Sequence, residues 1–365
     1  TSDGVLLLEN AATNLVTYSE DFTDSSWIKN NVNLTSGFIS PDGTANAFKL
    51  TSNLTNDVHR IRISSIASGS AANSQFTYSF FIKKAEIKWF LLKTVINTQS
   101  VTVDVWFDLE NGVIGTESNG SGKIEDYGND WYRCSINIVT NSSATSLNIY
   151  GYLADSNNSE SYLGDGTSGL YIFGAMLEQN SVASSYIPTQ GSASTRVAET
   201  ASGSGNSEVF NDSEGVLFVD TAALSDDGTS RRISVSDGSS NPNNLVCLDM
   251  SEYTNTIIGR IRTSNSEVAF LQSTSQKQTQ KNKIAVKYKV NDFALWINGF
   301  EVDTDNNGAV PIGLNDISFD RGNGSNDYYG KTKEIGYYNT ILTDLELETL
   351  TSYKSWTSMV NELNL

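Results

Sequence analysis

From residue 75 to residue 178 apolar and polar side chains alternate with a period of two. QFTYSFFIK (75–83) sets Phe76, Tyr78, Phe80 and Ile82 on one face. SVTVDVWFD (100–108) sets Val101, Val103, Val105 and Phe107 against Thr102, Asp104 and Trp106. WYRCSINIV (131–139) alternates Tyr132, Cys134, Ile136 and Ile138 with Trp131, Arg133, Ser135 and Asn137. SLNIYGYLA (146–154) sets Leu147, Ile149 and Leu153 against Asn148, Tyr150 and Tyr152. A half-buried antiparallel strand requires this alternation, because successive side chains point to opposite faces of the sheet. LENG (109–112) and YGND (127–130) supply turns between strands. A further strand, Leu170 to Leu177, leads into a turn-rich exit with Pro188. The pattern predicts a jelly-roll-like sandwich.

Residues 192–214 are small and polar, with ASGSG as the loosest stretch, and read as a linker. Beyond them SRRISVSDG, NTIIGRIRT, VAFLQST, KIAVKYKV and FALWINGFEV are successive strand candidates, and Asn298-Gly299 is a two-residue hairpin signal. Thr343-Asp344-Leu345-Glu346 reads as a capping box opening a short helix, with Leu347, Leu350 and Tyr353 following at helical spacing. No internal repeat links the halves. The expected fold class is all-β: two tandem antiparallel β-sandwich domains, jelly-roll-like, with a short C-terminal helix. The expected boundaries are a first module over 1–199, a linker over 200–213 and a second sandwich over 214–365.

Composition fits this class: 15 Phe, 16 Tyr and 6 Trp stand against only 4 Pro. The net charge of −18 disfavours nucleic acid and anionic membrane as partners. It serves solubility, or it arms acidic loops for a hard cation such as calcium. Two cysteines, Cys134 and Cys247, one per expected domain, do not make a disulfide framework and suit folding in a reducing cytoplasm. No apolar run has the length of a membrane span, so membrane insertion is not expected. The chain starts with Thr and shows no signal peptide, as a fragment or processed product would.

Three segments taken together resemble a known family: GVLLLENAATNLVTYSEDFTDSSW (4–27), FDLENGVIGT (107–116) and the run from Gly164 to Glu199 with its SSYIPT element. In this order they are similar to the β-sandwich modules of tail-fibre, tail-spike and head-fibre proteins of tailed bacteriophages, over residues 4–199. Residues 214–350, with FALWINGFEV and GKTKEIGYYNTILTD, resemble a concanavalin-A-like or laminin-G-like domain. The resemblance implies a virion protein made in the host cytoplasm and exposed on the particle surface. Its implied partners are a host cell-surface glycan and other virion subunits, and its implied assembly is a homotrimer.

The tools of an enzyme are not evident. His59 is the only histidine and reads as a strand-edge residue with a satisfied hydrogen bond. No nucleophile elbow, P-loop or HExxH spacing occurs. The ExDxxE run of glycanases with this fold and the QxH element of alginate lyases are both missing. A non-enzymatic protein is expected. For metal, Asp303, Asp305 and Asn307 fit the first half of a calcium loop, although Leu314 stands where the twelfth-position acid belongs; the same residues also suit an Asp/Asn-rich turn. Glu9, Asp21 and Glu178 lie in the segments that open and close the first sandwich. Architecture alone makes them candidates for a structural calcium.

Glycan binding has the most support, since sugars stack C–H faces on aromatics and pair hydroxyls with amides and carboxylates. The candidates are Trp106 beside Asp104, Trp131, Tyr150 and Tyr152 beside Asn148, and Trp296. Each ring suits either a stacking platform or packing beneath a covering loop. Trp27 and Trp89 read as core or N-terminal packing. The expected function is a fibre or spike adhesin with shallow aromatic-lined sites. The alternatives are a structural spacer or capsid-decorating fibre without glycan binding, and a polysaccharide depolymerase.

Overall fold

The computed structural model describes residues 4–67, 69–99 and 101–353; the end of the expected second domain lies outside them. Among the described residues the protein is all-β apart from one short helix. It divides into two compact units, Ala11–Val197 on the one hand and Thr1–Asn10 with Ala198–Leu365 on the other. The first strand, β1 (Leu6–Leu8), belongs to the latter.

The Ala11–Val197 unit comprises β2 (Ala12–Asn14), β3 (Ile28–Asn30), β4 (Val32–Phe38), β5 (Ala47–Ser52), β6 (Asn56–Ile66), β7 (Gln75–Lys84), β8 (Trp89–Ile96) and β9 (Val101–Asp108). It continues with β10 (Val113–Ser118), β11 (Gly122–Asp126), β12 (Trp131–Val139), β13 (Leu147–Ala154), β14 (Ser161–Leu163), β15 (Gly169–Glu178) and β16 (Ser194–Arg196). One sheet runs β10-β9-β8-β13-β6-β14, with β3 also on β6; its partner runs β11-β12-β7-β15-β5-β4, and β2 pairs with β16. All the pairings are antiparallel, as the period-two patterns require. Phe76, Tyr78, Phe80 and Ile82 of β7 meet Phe90, Leu92, Val103, Val105 and Phe107 of the other sheet in one core. The opening run adds Phe22 and Trp27 to that core, Phe22 stacking on Phe80 with ring centroids 5.5 Å apart. Each such ring, fully buried, contributes roughly 1.5–3 kcal/mol.

The half-buried expectation needs one amendment. β7, β9 and β15 are buried on both faces, because second apolar layers cover the outer sides of both sheets. His59 is likewise interior rather than at an edge. Its ring nitrogens lie 2.7 Å from the Asn31 carbonyl and 3.1 Å from that of Tyr162.

The second unit comprises β1, β17 (Glu214–Ala223), β18 (Arg231–Ser236), β19 (Leu245–Met250), β20 (Ile257–Thr263), β21 (Ser266–Ser273), β22 (Asn282–Lys289), β23 (Asp292–Ile297), β24 (Phe300–Asp305), β25 (Asp316–Ser318), β26 (Gly330–Tyr338) and α1 (Asp344–Thr351). Its two sheets, β1-β26-β17-β22-β23-β24 and β21-β20-β19-β18-β25, enclose a core centred on Leu217, Ile233, Val246, Val286 and Leu295. Asn298 and Gly299 form the β23–β24 turn with φ of 53° and 89°, the left-handed pair a type I′ hairpin needs. Thr343 and Glu346 cap α1 reciprocally. Tyr353 falls beyond the helix and donates its hydroxyl to the Lys281 carbonyl at 2.8 Å.

The expected boundaries differ from this division in two places. Leu6–Leu8 pairs with Gly330–Thr332, which carries the first ten residues into the second unit. Within 200–213 the backbone is tied to the same unit: Ile317 donates to the Ser204 carbonyl at 2.7 Å, Phe319 donates to that of Ala201 at 2.8 Å, and Phe210 is buried in the core.

Candidate functional site

Five of the seven glycan candidates share one surface, the outer face of the seven-stranded sheet. Register sets Trp106, Leu91, Tyr152 and Arg60 in one row across β9, β8, β13 and β6, with Asp104, Lys93, Tyr150 and Arg62 in the next. Asn148 follows opposite Val95. The aromatic members, however, are covered. Trp106 is 4% exposed and donates Nε1–H to the Ser159 carbonyl at 3.0 Å, under the β13–β14 connection. The Arg60 guanidinium lies 5.1 and 5.2 Å from the Tyr150 and Tyr152 ring centroids and donates to the Tyr152 hydroxyl. Lys93 bridges Asp104 at 3.5 Å and Glu160 at 2.8 Å. Burial raises the Asp104 pKa; it would lower that of Lys93, but the Glu160 hydrogen bond and both carboxylates raise it instead. Asn148 is held by Asn97 and the Ser65 amide. These side chains form a packed layer under charge, not an open platform.

The other two candidates, Trp131 and Trp296, lie elsewhere and are also buried rather than open to a ligand. Trp131 packs with Phe81 and Phe173 on the outer face of the six-stranded sheet, where Tyr186 of the exit segment joins them. Trp296 packs with Val216, Phe218 and Leu347 beneath α1.

Trp89, read from sequence as packing, is the described tryptophan that is not buried. It opens β8 at the end of the aromatic layer, opposite Ala154 and Asp108. Beside it lies a cavity of about 540 Å³, bounded by three connections at one end of the sandwich. Glu86 and Lys88 come from the β7–β8 connection, Asp155 from β13–β14, and Asp165 and Ser168 from β14–β15; Tyr162 and Leu163 complete the wall. Gly115 backs the ring: a Cβ there would stand 2.6 Å from Trp89 Cζ3. Asn157, fixed by the Thr116 amide at 2.8 Å, abuts the same spot.

The carboxylates here are held as acceptors. Glu86 takes Lys49 Nζ at 2.9 Å and the Gly169 amide at 3.1 Å, and the Lys49 hydrogen bond lowers its pKa. Asp165 takes the Ser168 hydroxyl at 2.5 Å and the Ser168 and Thr167 amides, which hold it well below the usual carboxylate range. The Tyr162 hydroxyl is buried without a hydrogen-bond partner of good geometry, and burial pushes its pKa up to about 12. A half-open indole beside ionised carboxylates can stack a sugar ring and accept from its hydroxyls.

The metal candidates are not brought together. Asp303 and Asp305 lie on β24 itself, accepting from the Gln272 amide at 2.9 Å and the Asn307 amide at 3.0 Å, so the DxDxNG run is strand and turn. Asp21 caps Thr23, and Glu178 is buried, accepting from Asn180 and Ser184. Glu9 is buried in the other unit. Among the described residues no three His, Cys, Asp or Glu cluster closely enough to hold a metal ion. Both cysteines are free and buried.

No protein-family model matches the chain, and no curated protein matches it. Solved structures are similar to it at low identity. The Ruminococcus gnavus IT-sialidase CBM40 is 16% identical, covering 42% of this chain and 94% of its own, with a TM-score of 0.35. The SAP-like pentraxin of Limulus polyphemus is 11% identical, covering 39% and 71%, at 0.33. Domains LG4-5 of the mouse laminin α1 chain are 10% identical, covering 78% and 86%, at 0.29. At such scores the likeness is partial, and the fold assignment rests on the sheets themselves.

Proposed function

We propose that this chain is a non-enzymatic glycan-binding protein whose Ala11–Val197 unit holds a hydroxyl-rich saccharide in the Trp89 cavity. The observation that carries this reading is the half-open Trp89 indole on a cavity ringed by Glu86, Asp155 and Asp165. Volume and lining suit one or two sugar rings. Glu86 and Asp165, held ionised, serve as acceptors rather than proton donors, which supports binding without hydrolysis. The sequence resemblance to phage fibre and spike modules supports placing the protein on a virion, as an adhesin for host surface glycan. Several copies, as in a homotrimer, would raise weak single-site affinity by avidity.

A glycan array and a host-cell adsorption assay test this. Trp89→Ala is expected to weaken binding about 5- to 150-fold, in line with ~1–3 kcal/mol for a stacked ring. Saturable binding unaffected by Trp89→Ala would refute the site. A second reading, a spacer fibre without glycan binding, is favoured by the burial of Trp106, Trp131 and Trp296. An assembled, folded preparation that binds no glycan would establish it.

A further inference from the structure

We propose that the outer face of the five-stranded sheet β21-β20-β19-β18-β25 is a second binding surface, one that takes an acidic polysaccharide through its sulfate or carboxylate groups. Along β18, β19 and β20 the residues Ile233, Val235, Val246, Leu248 and Ile261 point into the core. The alternate positions therefore face outward: Arg232 on β18, Cys247 and Asp249 on β19, Arg260 and Arg262 on β20. Arg321 joins them, close after β25, whose Ser318 pairs with Ser234. Four guanidiniums thus gather on one face of a chain whose net charge is −18.

Their demand for anions is only partly met within the protein. Asp249, with no exposed surface, takes Arg232 at 3.0 Å and Arg260 at 2.8 Å, and Glu267 takes the other end of Arg260 at 2.9 Å. Among the described residues Arg262 finds only neutral acceptors, the carbonyl and side-chain oxygens of Asn265. Arg232 Nε is buried without a hydrogen-bond partner. Among the described residues the Arg321 guanidinium has no ion pair or hydrogen bond. Its pKa is pushed down, first by burial and then by the like charges of Arg262, Arg232 and Arg260. A planar fork without a carboxylate is the group that binds sulfate or carboxylate bidentately.

The occupant follows from charge spacing and from Phe270. That ring is 41% exposed at the edge of the patch, with the Arg260 guanidinium 4.7 Å from its centroid, so stacking is offered beside charge. Duplex DNA carries a charge about every 1.7 Å and would meet repulsion from the acidic chain all along its length. An acidic polysaccharide is a single strand whose sulfates or carboxylates are spaced more widely than the phosphates of a duplex, so a patch of four guanidiniums can engage several of them without a long basic track. This inference does not depend on the Trp89 cavity, which belongs to the other unit.

The test uses the full chain, titrated at low and physiological salt with heparin oligosaccharides, oligogalacturonate, maltoheptaose and an oligothymidylate of matched length. The expected result is salt-sensitive binding of one or both acidic saccharides and none of maltoheptaose at this face. Preference for heparin would identify sulfate as the group read; preference for oligogalacturonate, carboxylate. The double variant Arg262→Ala, Arg321→Ala is expected to lose at least about tenfold in affinity, since it removes the two guanidinium forks that lack a carboxylate partner. Neither side chain pairs with buried Asp249, so the unfolding midpoint should hold; the matching double Lys variant should recover part of the affinity. Trp89→Ala should leave this binding intact. The proposal is overturned if neither acidic saccharide binds at low salt, or if the double variant binds as well as the parent. It is overturned in favour of nucleic acid if oligothymidylate binds as tightly with the same arginine dependence.

Discussion

Replacing Trp106 with alanine separates the two roles an aromatic on a polar strand face can play. A stacking platform would lose ligand and keep its stability. Trp106 is instead 4% exposed, packs with Leu91, Tyr150 and Tyr152, and donates its indole N–H to Ser159 at 3.0 Å. Truncating a buried Trp costs ~3–5 kcal/mol, the lost hydrogen bond being part of that sum. A domain of this size holds ~5–15 kcal/mol in all, so the loss is a large share. In thermal unfolding it corresponds to a fall of roughly 6–20 °C for this unit, at about 2–4 °C per kcal/mol. Chemical denaturation of parent, Trp106→Ala and Trp106→Phe measures it. The phenylalanine variant isolates the hydrogen bond when set against Trp296→Phe, because Trp296 Nε1 is buried without a partner. Trp106→Phe should therefore cost about 1 kcal/mol more than Trp296→Phe. If Trp106→Ala costs less than about 1 kcal/mol while abolishing glycan binding, the packing argument is wrong and the ring is a ligand contact.

Two further outcomes test the local chemistry. Asp227 makes two 2.8 Å hydrogen bonds to Arg231; burial would raise its pKa, but these bonds and that to Ser225 bring it down to about 2. A depressed carboxylate contributes stability that is present above the ordinary Asp pKa near ~4 and lost as pH falls through the folded value. The shift corresponds to at most ~2.5 kcal/mol and, discounted for its solvent exposure, to about 1 kcal/mol; the stability difference between parent and Asp227→Asn should shrink by that amount between neutral pH and pH about 2. Gly115→Ala should drive the Trp89 ring from its seat, costing ~1–3 kcal/mol of stability and most glycan affinity; unchanged binding in an array would refute the seat.

The strands were legible because burial on one face forces a period of two, and turn and cap chemistry is local. Phe76 to Ile82, Asn298-Gly299 and the Thr343–Glu346 box each carry their reason within a few residues. β1 was not legible. Leu6–Leu8 is three leucines whose partner, Gly330–Thr332, is hundreds of positions away, and nothing in a three-residue run marks that pairing. The arginine face was hidden for a related reason: Arg232, Arg260, Arg262 and Arg321 look scattered until register lays their strands side by side.

The candidate site shows the limit most directly. Alternation reveals that Trp106, Trp131 and Trp296 share the strand face opposite the core, but it is silent on what lies over that face. The covers are a β13–β14 connection, a turn-rich exit carrying Tyr186, and a helix joined on after the last strand. The first two are polar and aperiodic, and no pattern within the strand announces any of them. A rule based on strand position alone therefore picks the best-buried rings, since a large aromatic on an outer face attracts whatever apolar or cationic cover the fold supplies. Trp89 stays half open because it stands first in its strand, at the end of the packed layer, where three connections part around a cavity instead of closing over it. The informative sequence signal for a stacking ring in such a sandwich is accordingly its place at a strand end among acidic connections, with a glycine on the next strand but one to make room.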